Sequence, residues 1–166
     1  MVLMKASPNM LLDLSAIRAN TVSATDYVNG LEEPFREKFL ARKQTYQPNE
    51  EAISKLRTYA GEYVVIAFSA GWCKDCATNI PVLAVINEAS GLEVRVFGGL
   101  KKDPLGQGRK WRIPPSPPEV ETFNVDRLPL IIVVDREGRE IGRIVENPAH
   151  QHTLEQELCE IMKPRK

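Results

Sequence analysis

The fold follows from one stretch of the chain, residues 63–76, which read YVVIAFSAGWCKDC. Its first six residues, 63–68, form a continuous apolar run rich in β-branched side chains, a pattern typical of a central strand buried on both faces. Residues from about 74 to 90 show helical spacing, with Pro81 inside the helix and Gly91 at its end. The two cysteines of this stretch therefore lie where a buried strand ends and a helix begins.

The elements that follow extend this unit into an α/β sheet. Residues 92–97 predict a second strand, so strand, helix and strand follow in the order of a right-handed parallel βαβ unit. Residues 130–134 and 139–145 predict a third and a fourth strand, which a tight turn should pair antiparallel. Thr153 and Gln156 form a capping box that opens a last helix. The sequence predicts a central four-stranded mixed sheet flanked by helices.

The first part of the chain, residues 1–47, reads as a helical extension ahead of the main domain at 48–166. Apolar spacing from Leu11 predicts one helix that ends at Gly30, and Glu33-Pro34-Phe35 opens a second. We expect the extension to pack on the domain, because amphipathic helices without a coiled-coil repeat generally need a neighbour.

One segment between the predicted strands has little regular patterning. Gly98 to Pro115 is rich in Gly, Pro, Lys and Arg and predicts an exposed loop. Trp111 in this loop would cover the sheet edge or line a partner groove, and structural cover is the favoured role. Ser116-Pro117-Pro118-Glu119 then resembles a capping box that opens a short helix reaching about Phe123.

Charge and cysteine usage exclude several classes of function. Lys plus Arg and Asp plus Glu both number 22, which predicts neither nucleic acid nor an anionic membrane as a partner. The chain has 3 cysteines, too few for the disulfide framework of a small secreted domain. The sequence shows no signal-peptide pattern and no apolar run near the roughly 18 residues of a membrane span, so we expect a cytoplasmic location.

The two clustered cysteines carry the predicted chemistry. Cys73 would occupy a helix N-terminus, where unpaired backbone N–H groups and the helix dipole favour the thiolate. Lys74 would lower the pKa of this thiol further, and Asp75 would oppose that effect. Cys76, one helical turn later, could attack the mixed disulfide that Cys73 forms with a substrate.

A structural zinc site is the competing interpretation of these cysteines. A closed zinc site needs four protein ligands, and the other candidates, Cys159, His150 and His152, lie far along the chain. We therefore expect no metal site, and no cofactor beyond a redox-active disulfide between Cys73 and Cys76.

The segment from about Asn49 to Met162 resembles a thioredoxin-family domain. The shared features are a buried strand that runs into Trp-Cys-x-x-Cys, Pro81 five residues after the second cysteine, and Leu128-Pro129 at the start of the next-to-last strand. The Asp135-Arg136-Glu137-Gly138 turn and the terminal helix complete the resemblance. The implied fold is therefore the thioredoxin fold with an N-terminal helical extension.

The resemblance also implies roles for three residues around the cysteines. Leu128-Pro129 is expected to be a cis peptide beside the disulfide, with the Leu128 backbone turned towards the sulfurs. An extended substrate segment could then pair with that backbone as an added strand. Trp72 would cover the disulfide and offer an apolar docking surface.

The chain departs from the family pattern at several positions. Thioredoxins carry Gly-Pro between their cysteines, whereas this chain has Lys74-Asp75, which leaves the redox potential and the direction of electron flow open. The buried aspartate that precedes their motif aligns with Ala67, so water or another group must take the proton from Cys76. The Ile141 to Val145 segment lacks the Gly-Gly pair of glutaredoxins, which disfavours glutathione dependence.

The favoured hypothesis is an enzyme, a thioredoxin-like protein-disulfide oxidoreductase. It would reduce or exchange disulfides in protein substrates through Cys73 and Cys76, and an external reductase would restore the dithiol. The alternative is a thioredoxin-like binding or chaperone module, in which the arm from Leu11 to Gln47 and the loop from Gly98 to Pro115 recruit a partner. A third possibility is a soft metal held by the two cysteines in a dimer. The oligomeric state is left open.

Overall fold

The computed structural model describes residues 11–106, 108–149 and 151–164. In these residues the elements are, in chain order, α1 (Leu14–Ala19), β1 (Val22–Ser23), α2 (Ala24–Gly30), α3 (Phe35–Thr45), α4 (Glu50–Tyr59), β2 (Tyr63–Phe68), α5 (Lys74–Ser90), β3 (Glu93–Phe97), α6 (Glu119–Thr122), β4 (Leu130–Asp135), β5 (Glu140–Val145) and α7 (Leu154–Met162). Among the described helices, none is long and apolar enough to cross a membrane.

The strands form one mixed sheet in the order β1-β3-β2-β4-β5. β2 pairs parallel with β3 and antiparallel with β4, so both of its edges are bonded. The side chains from Val64 to Phe68 are all buried in a sheet against which α2, α5 and α7 pack. The predicted α/β thioredoxin fold is confirmed, and the buried strand does lead into the two cysteines.

The sheet has a fifth strand that the sequence did not predict, and it interrupts the helix expected from Leu11 to Gly30. The Thr21 hydroxyl donates a hydrogen bond to the Ile17 carbonyl at 2.6 Å as α1 ends. Val22 and Ser23 then pair antiparallel with β3, and the Ser23 hydroxyl caps α2. The prediction of one continuous helix was wrong, because this short strand is stabilised by the edge of β3 and not by its own pattern.

Arg95 of β3 secures this edge of the sheet. Its guanidinium donates hydrogen bonds to the Thr21 hydroxyl at 2.9 Å, the Thr21 carbonyl at 2.7 Å and the Arg18 carbonyl at 3.1 Å. These bonds satisfy carbonyl groups that the end of α1 leaves without a helical partner. One strand side chain therefore holds the chain between α1 and β1 against β3.

The segment assigned to the N-terminal extension packs mainly against α5. Tyr27, Val28 and Phe39 are buried and belong to the same hydrophobic core as the sheet. At the surface, the Arg42 guanidinium donates to the Thr78 carbonyl at 3.0 Å. The extension therefore packs on the domain, while the division at residue 47 stays a prediction.

The segment from Gly98 to Pro115 is mostly exposed, as predicted, and a few buried residues anchor it. Trp111 is buried and its indole N–H donates to the Val125 carbonyl at 2.7 Å, so it covers the structure as expected. The capping box predicted at Ser116 does not form, since α6 begins only after Pro118. Instead, the buried Ser116 hydroxyl bonds the backbone of Lys101, accepting at 2.8 Å and donating at 3.1 Å. The capping box at Thr153 is present as predicted.

Candidate active site

The turn between β2 and α5 brings the two cysteines to the end of the sheet. Ser69 N–H donates to the Phe97 carbonyl at 3.0 Å, and Cys73 N–H donates to the Ala70 carbonyl at 3.3 Å, which closes the turn. Gly71 lies directly on the ring of Phe35, where an added Cβ would stand 2.8 Å from Cδ2. The turn is therefore shaped partly by α3, which begins at Phe35.

Cys73 is the N-cap residue of α5, as its place in the sequence predicts. Its sulfur accepts a hydrogen bond from the backbone N–H of Cys76 at 3.2 Å. A helix N-cap normally carries an oxygen acceptor such as Ser or Asp, and here the sulfur takes that position. The residue is 8% exposed, whereas Cys76 is 0% exposed, so Cys73 is the more accessible of the two cysteines.

The surroundings of Cys73 favour its thiolate. A hydrogen bond from the Cys76 thiol is the main cause that lowers the pKa of Cys73 to about 7. The backbone N–H groups of Cys76 and Asp75 add to this effect, while partial burial and the Asp75 carboxylate oppose it. Lys74 lies exposed at the first position of α5, and its predicted effect on the thiol stays a prediction.

Cys76 has the opposite character. It is fully buried, and burial together with the neighbouring Cys73 sulfur raises its pKa well above that of a free thiol. The pair is therefore asymmetric at neutral pH. The Cys73 thiolate is favoured, and the Cys76 thiol stays protonated. Such an asymmetry is what sequential attack and resolution of a disulfide require.

The Leu128-Pro129 segment lies beside the cysteines. The peptide bond between them is cis, as the resemblance implies. The Cys73 thiol is 3.6 Å from the Leu128 carbonyl oxygen, which makes Leu128 the backbone neighbour of the surface sulfur. The Pro129 carbonyl accepts a hydrogen bond from Glu146 N–H at 2.8 Å, which ties this segment to the end of β5.

Trp72 stands next to Cys73 with a large exposed surface. It is 46% exposed, and its indole N–H donates to the Leu100 carbonyl at 3.0 Å. The ammonium of Lys102 lies 5.5 Å from the centre of its ring, within the range of a cation–π contact. The ring is thus held in place from one side while its other surface stays open.

A groove of about 240 Å³ runs past Cys73. Its lining includes Trp72 and Leu128 together with the charged side chains of Lys74 and Arg127. Of the five residues that the sequence placed at the cysteines or in substrate binding, Trp72, Cys73 and Leu128 line the groove, whereas Cys76 and Pro129 do not. Its open shape gives a visiting chain a route to the surface sulfur.

Asn79 supports this site and was not singled out from the sequence. It is buried on α5, and its amide donates to the Asp75 carbonyl at 3.1 Å, the Glu146 carbonyl at 2.8 Å and the Asn147 side chain at 2.9 Å. Glu146 has a φ of 68°, a left-handed conformation that these contacts help to hold. The one signal in the sequence was a polar residue, Asn79, on an otherwise apolar face of the predicted helix.

The polar groups beneath Cys76 were also missed. Position 67 is fully buried, and because its residue is alanine it carries no side-chain base. Two other buried residues, Ser69 and Tyr27, have hydroxyl oxygens with no hydrogen-bond partner among the residues that the structure describes. No pattern in the sequence marks them, because one lies in a turn and the other on a distant helix.

The remaining candidate metal ligands are not gathered at the cysteines. The Cys159 thiol is half-buried and donates to the Ala52 carbonyl at 3.4 Å, and His152 is exposed and bonds Glu157 at 3.0 Å. His150 lies outside the described residues. In the part of the chain with described coordinates, no three His, Cys, Asp or Glu side chains are grouped to hold a metal ion.

Comparison with known proteins places the chain next to thioredoxins. The family model described as Thioredoxin matches residues 21–103, which is half of the chain. No curated protein matches it.

Two solved structures share the fold at low sequence identity. A protein of unknown function from Pseudomonas aeruginosa is 14% identical, with a TM-score of 0.64, and the match covers 92% of this chain and 96% of that one. An HIV epitope-scaffold is 13% identical, with a TM-score of 0.65, and the match covers 91% and 96% of the two chains. Both extend the similarity over nearly the whole length of the chain.

Proposed function

Because this chain belongs to the thioredoxin family, we propose that it is a thiol–disulfide oxidoreductase that acts on disulfides of protein substrates. The observation that carries the proposal is the opposed chemistry of its two cysteines. The Cys73 thiolate is favoured at the head of α5 and borders an open groove, and the Cys76 thiol is kept protonated beneath it. Cys73 is therefore the attacking residue and Cys76 the resolving residue.

The reaction proceeds in two exchanges. The Cys73 thiolate attacks one sulfur of the substrate disulfide, the substrate S–S bond breaks, and the first substrate thiolate leaves and takes up a proton. Cys76 then loses its proton and attacks Cys73 in the mixed disulfide, which releases the second substrate thiol. Two electrons pass from the dithiol to the substrate, and an external dithiol reductase restores Cys73 and Cys76.

The walls of the groove favour an extended polypeptide as the substrate. The backbone of Leu128 lies beside the Cys73 sulfur, where a substrate segment could pair with it as an added strand. Trp72 offers an open aromatic face next to the same sulfur. Both features would contact substrate residues on either side of the disulfide. A small-molecule disulfide has no such residues.

Reduction of insulin by dithiothreitol tests this function. We expect the protein to accelerate precipitation of the insulin B chain above the rate with dithiothreitol alone, and Cys73→Ser to abolish the acceleration. Cys159→Ser is the matched control, since it removes a thiol outside the groove and should leave the rate unchanged. No acceleration by the wild-type protein would refute the proposal.

A binding module is the second candidate, and the absence of a base at Ala67 is the observation in its favour. In that case the cysteines would be incidental or regulatory. A double variant, Cys73→Ser with Cys76→Ser, separates the two functions in cells that lack the native protein. Full complementation by the double variant would support the module, and loss of complementation would support the oxidoreductase.

A further inference from the structure

Two buried hydroxyl groups belong to residues that pack around the turn before the cysteines. Ser69 is 0% exposed and follows β2 directly, and Tyr27 is 8% exposed and comes from α2. Neither hydroxyl oxygen has a hydrogen-bond partner within the described ranges. A buried polar atom left in this state generally costs about 1–3 kcal/mol of stability, so its presence calls for another explanation.

The position of Ser69 suggests what the hydroxyl does. The Ala70 carbonyl accepts a hydrogen bond from Cys73 N–H at 3.3 Å, which holds the turn that contains Ser69 against the cysteines. The Ser69 hydroxyl and the backbone N–H of Ala70 both lower the pKa of the Cys76 thiol against the larger effect of burial. A serine hydroxyl rotates freely about its C–O bond, so it can turn its hydrogen towards a sulfur that becomes negative. Ser69 therefore holds a donor at the place where charge develops.

Tyr27 packs against Gly98, the residue after Phe97, whose carbonyl accepts a hydrogen bond from Ser69 N–H. Burial is the main cause that raises the pKa of its phenol, the Ser69 hydroxyl lowers this pKa, and the charge of both cysteine sulfurs raises it further. The ring is held by Gly98, where an added Cβ would stand 2.5 Å from Cε1, and by an edge-on contact with Phe39. The N–H and O–H groups beneath Cys76 thus come from the turn and from the N-terminal arm.

We propose that Ser69 is a catalytic residue that donates a hydrogen bond to the Cys76 sulfur as this sulfur loses its proton, and that Tyr27 is the positioning residue whose hydroxyl donates to the Ser69 oxygen when Ser69 turns towards the sulfur. This inference rests on the proposed function. This chain has Ala67 in place of a buried acid, so no carboxylate acts on the Cys76 sulfur. The Ser69 hydroxyl supplies a polar group instead.

The step is balanced without a further reactant. In the mixed disulfide, the Cys76 proton passes to the substrate thiolate that leaves, and the Cys76–Cys73 S–S bond forms as the Cys73–substrate S–S bond breaks. Ser69 keeps its own proton throughout and only redirects it. The titratable groups that face Cys76 are Cys73 on the same helix and Tyr27 on α2.

The experiment follows both exchanges in one reaction with one equivalent of 5,5′-dithiobis(2-nitrobenzoate). The first release of the yellow thiolate reports attack by Cys73, and the second reports resolution by Cys76. All proteins are full-length and carry Cys159→Ser, so that only the pair reacts. Ser69→Ala should leave the first phase unchanged and slow the second about tenfold at pH 7, the loss expected for one hydrogen bond to a charged group. Tyr27→Phe should slow the second phase by a smaller factor.

A pH profile and a stability measurement separate this role from a structural one. In Ser69→Ala the pH midpoint of the second phase should rise, while the unfolding temperature should stay equal or increase, because an unpaired buried hydroxyl is removed. Ser90→Ala is the matched control, since Ser90 is also buried but its hydroxyl bonds Ile86 and Leu92. It should lower the unfolding temperature and leave resolution unchanged.

The outcomes distinguish the two proposals. If the parent protein releases no yellow thiolate at all, the proposed function fails. If the parent shows both phases and Ser69→Ala and Tyr27→Phe resolve at the parent rate at every pH, only the role of the hydroxyls is overturned. A slower first phase together with a lower unfolding temperature would assign Ser69 to the structure and also overturn it.

Discussion

The Tyr46 hydroxyl donates a hydrogen bond at 2.8 Å to the carboxylate of Glu155, a side chain that is 0% exposed. The backbone N–H of Asn49 donates to the same carboxylate at 2.7 Å. Glu155 lies in the first turn of α7, where the helix dipole favours negative charge. One buried carboxylate thus joins the connection between α3 and α4 to the last helix. Tyr46 and Glu155 are 109 residues apart in the sequence.

Glu155→Gln should lower the free energy of unfolding by about 1.5–3 kcal/mol, because the neutral amide replaces charge-assisted hydrogen bonds and turns one acceptor into a donor. Denaturation in urea measures the change. Glu160→Gln, at an exposed position of the same helix, is the control and should stay within about 0.5 kcal/mol of wild type. Equal stability of the two variants would contradict the role assigned to Glu155.

The rate at which iodoacetamide alkylates Cys73 should rise with pH through a midpoint near 7, because only the thiolate reacts and its pKa is lowered to about 7. Cys76→Ala removes the thiol that is the main donor to this sulfur, so its midpoint should move up towards the value of about 8.5 of a free thiol. Cys76→Ser keeps a donor and should shift less. If the pH profiles of the wild-type protein and the two variants coincide, the Cys76 thiol is not the cause of the lowered pKa of Cys73.

Trp72→Ala should raise the KM for a protein substrate at least about fivefold, the loss typical of an aromatic contact residue, with a smaller change in kcat. Trp72→Phe keeps an aromatic face but loses the hydrogen bond to Leu100, so it separates docking from anchoring. Kinetics with reduced protein and an oxidised peptide substrate measure both. An unchanged KM in Trp72→Ala would exclude the ring from substrate binding.

Gly98→Ala should cost about 1–3 kcal/mol of stability, because its Cβ would overlap the ring of Tyr27. The displaced ring should also change the fluorescence of tyrosine, which provides a local readout. Gly61→Ala is the matched control, since nothing lies within 4 Å of the added Cβ. The close contact would be disproved by two variants of equal stability.

Phe39→Ala should lower the free energy of unfolding by about 3–5 kcal/mol, the usual cost of removing a fully buried aromatic ring. The size of the loss tests whether the N-terminal arm contributes to the shared core, and one cooperative transition in denaturant should remain. Leu40→Ala, at a half-buried neighbouring position, should cost less. Two separate transitions in the wild-type protein would instead favour an independent unit before residue 48.

The sequence was sufficient for those parts of the fold whose signals are local. The apolar run of β2, the helix stop at Gly91 and the capping box at Thr153 each depend on a few adjacent residues, and each is found where it was expected. The placement of Cys73 at a strand end was equally readable, because strand and helix periodicity change there. These features need no knowledge of what packs against them.

The features that were missed depend on distant partners. Val22 and Ser23 form a strand only because β3 lies alongside. Ser116 does not cap a helix, because its hydroxyl is hydrogen-bonded to the backbone N–H and carbonyl of Lys101. Ser69 and Tyr27 are 42 residues apart in the sequence and belong to the same buried region only because α2 packs on α5. Contacts of this kind have no periodicity and no spacing that a single sequence could reveal.

The short pairing of β1 with β3 also limits how molecules of this protein can associate. A bare outer strand is a template for edge-to-edge aggregation, because its unpaired N–H and C=O groups recruit a neighbouring copy. Here two residues of β1 and the guanidinium of Arg95 occupy that position. Within the described sheet, the six-residue β5 is the other outer strand, so growth of the sheet between copies is expected to start on that side.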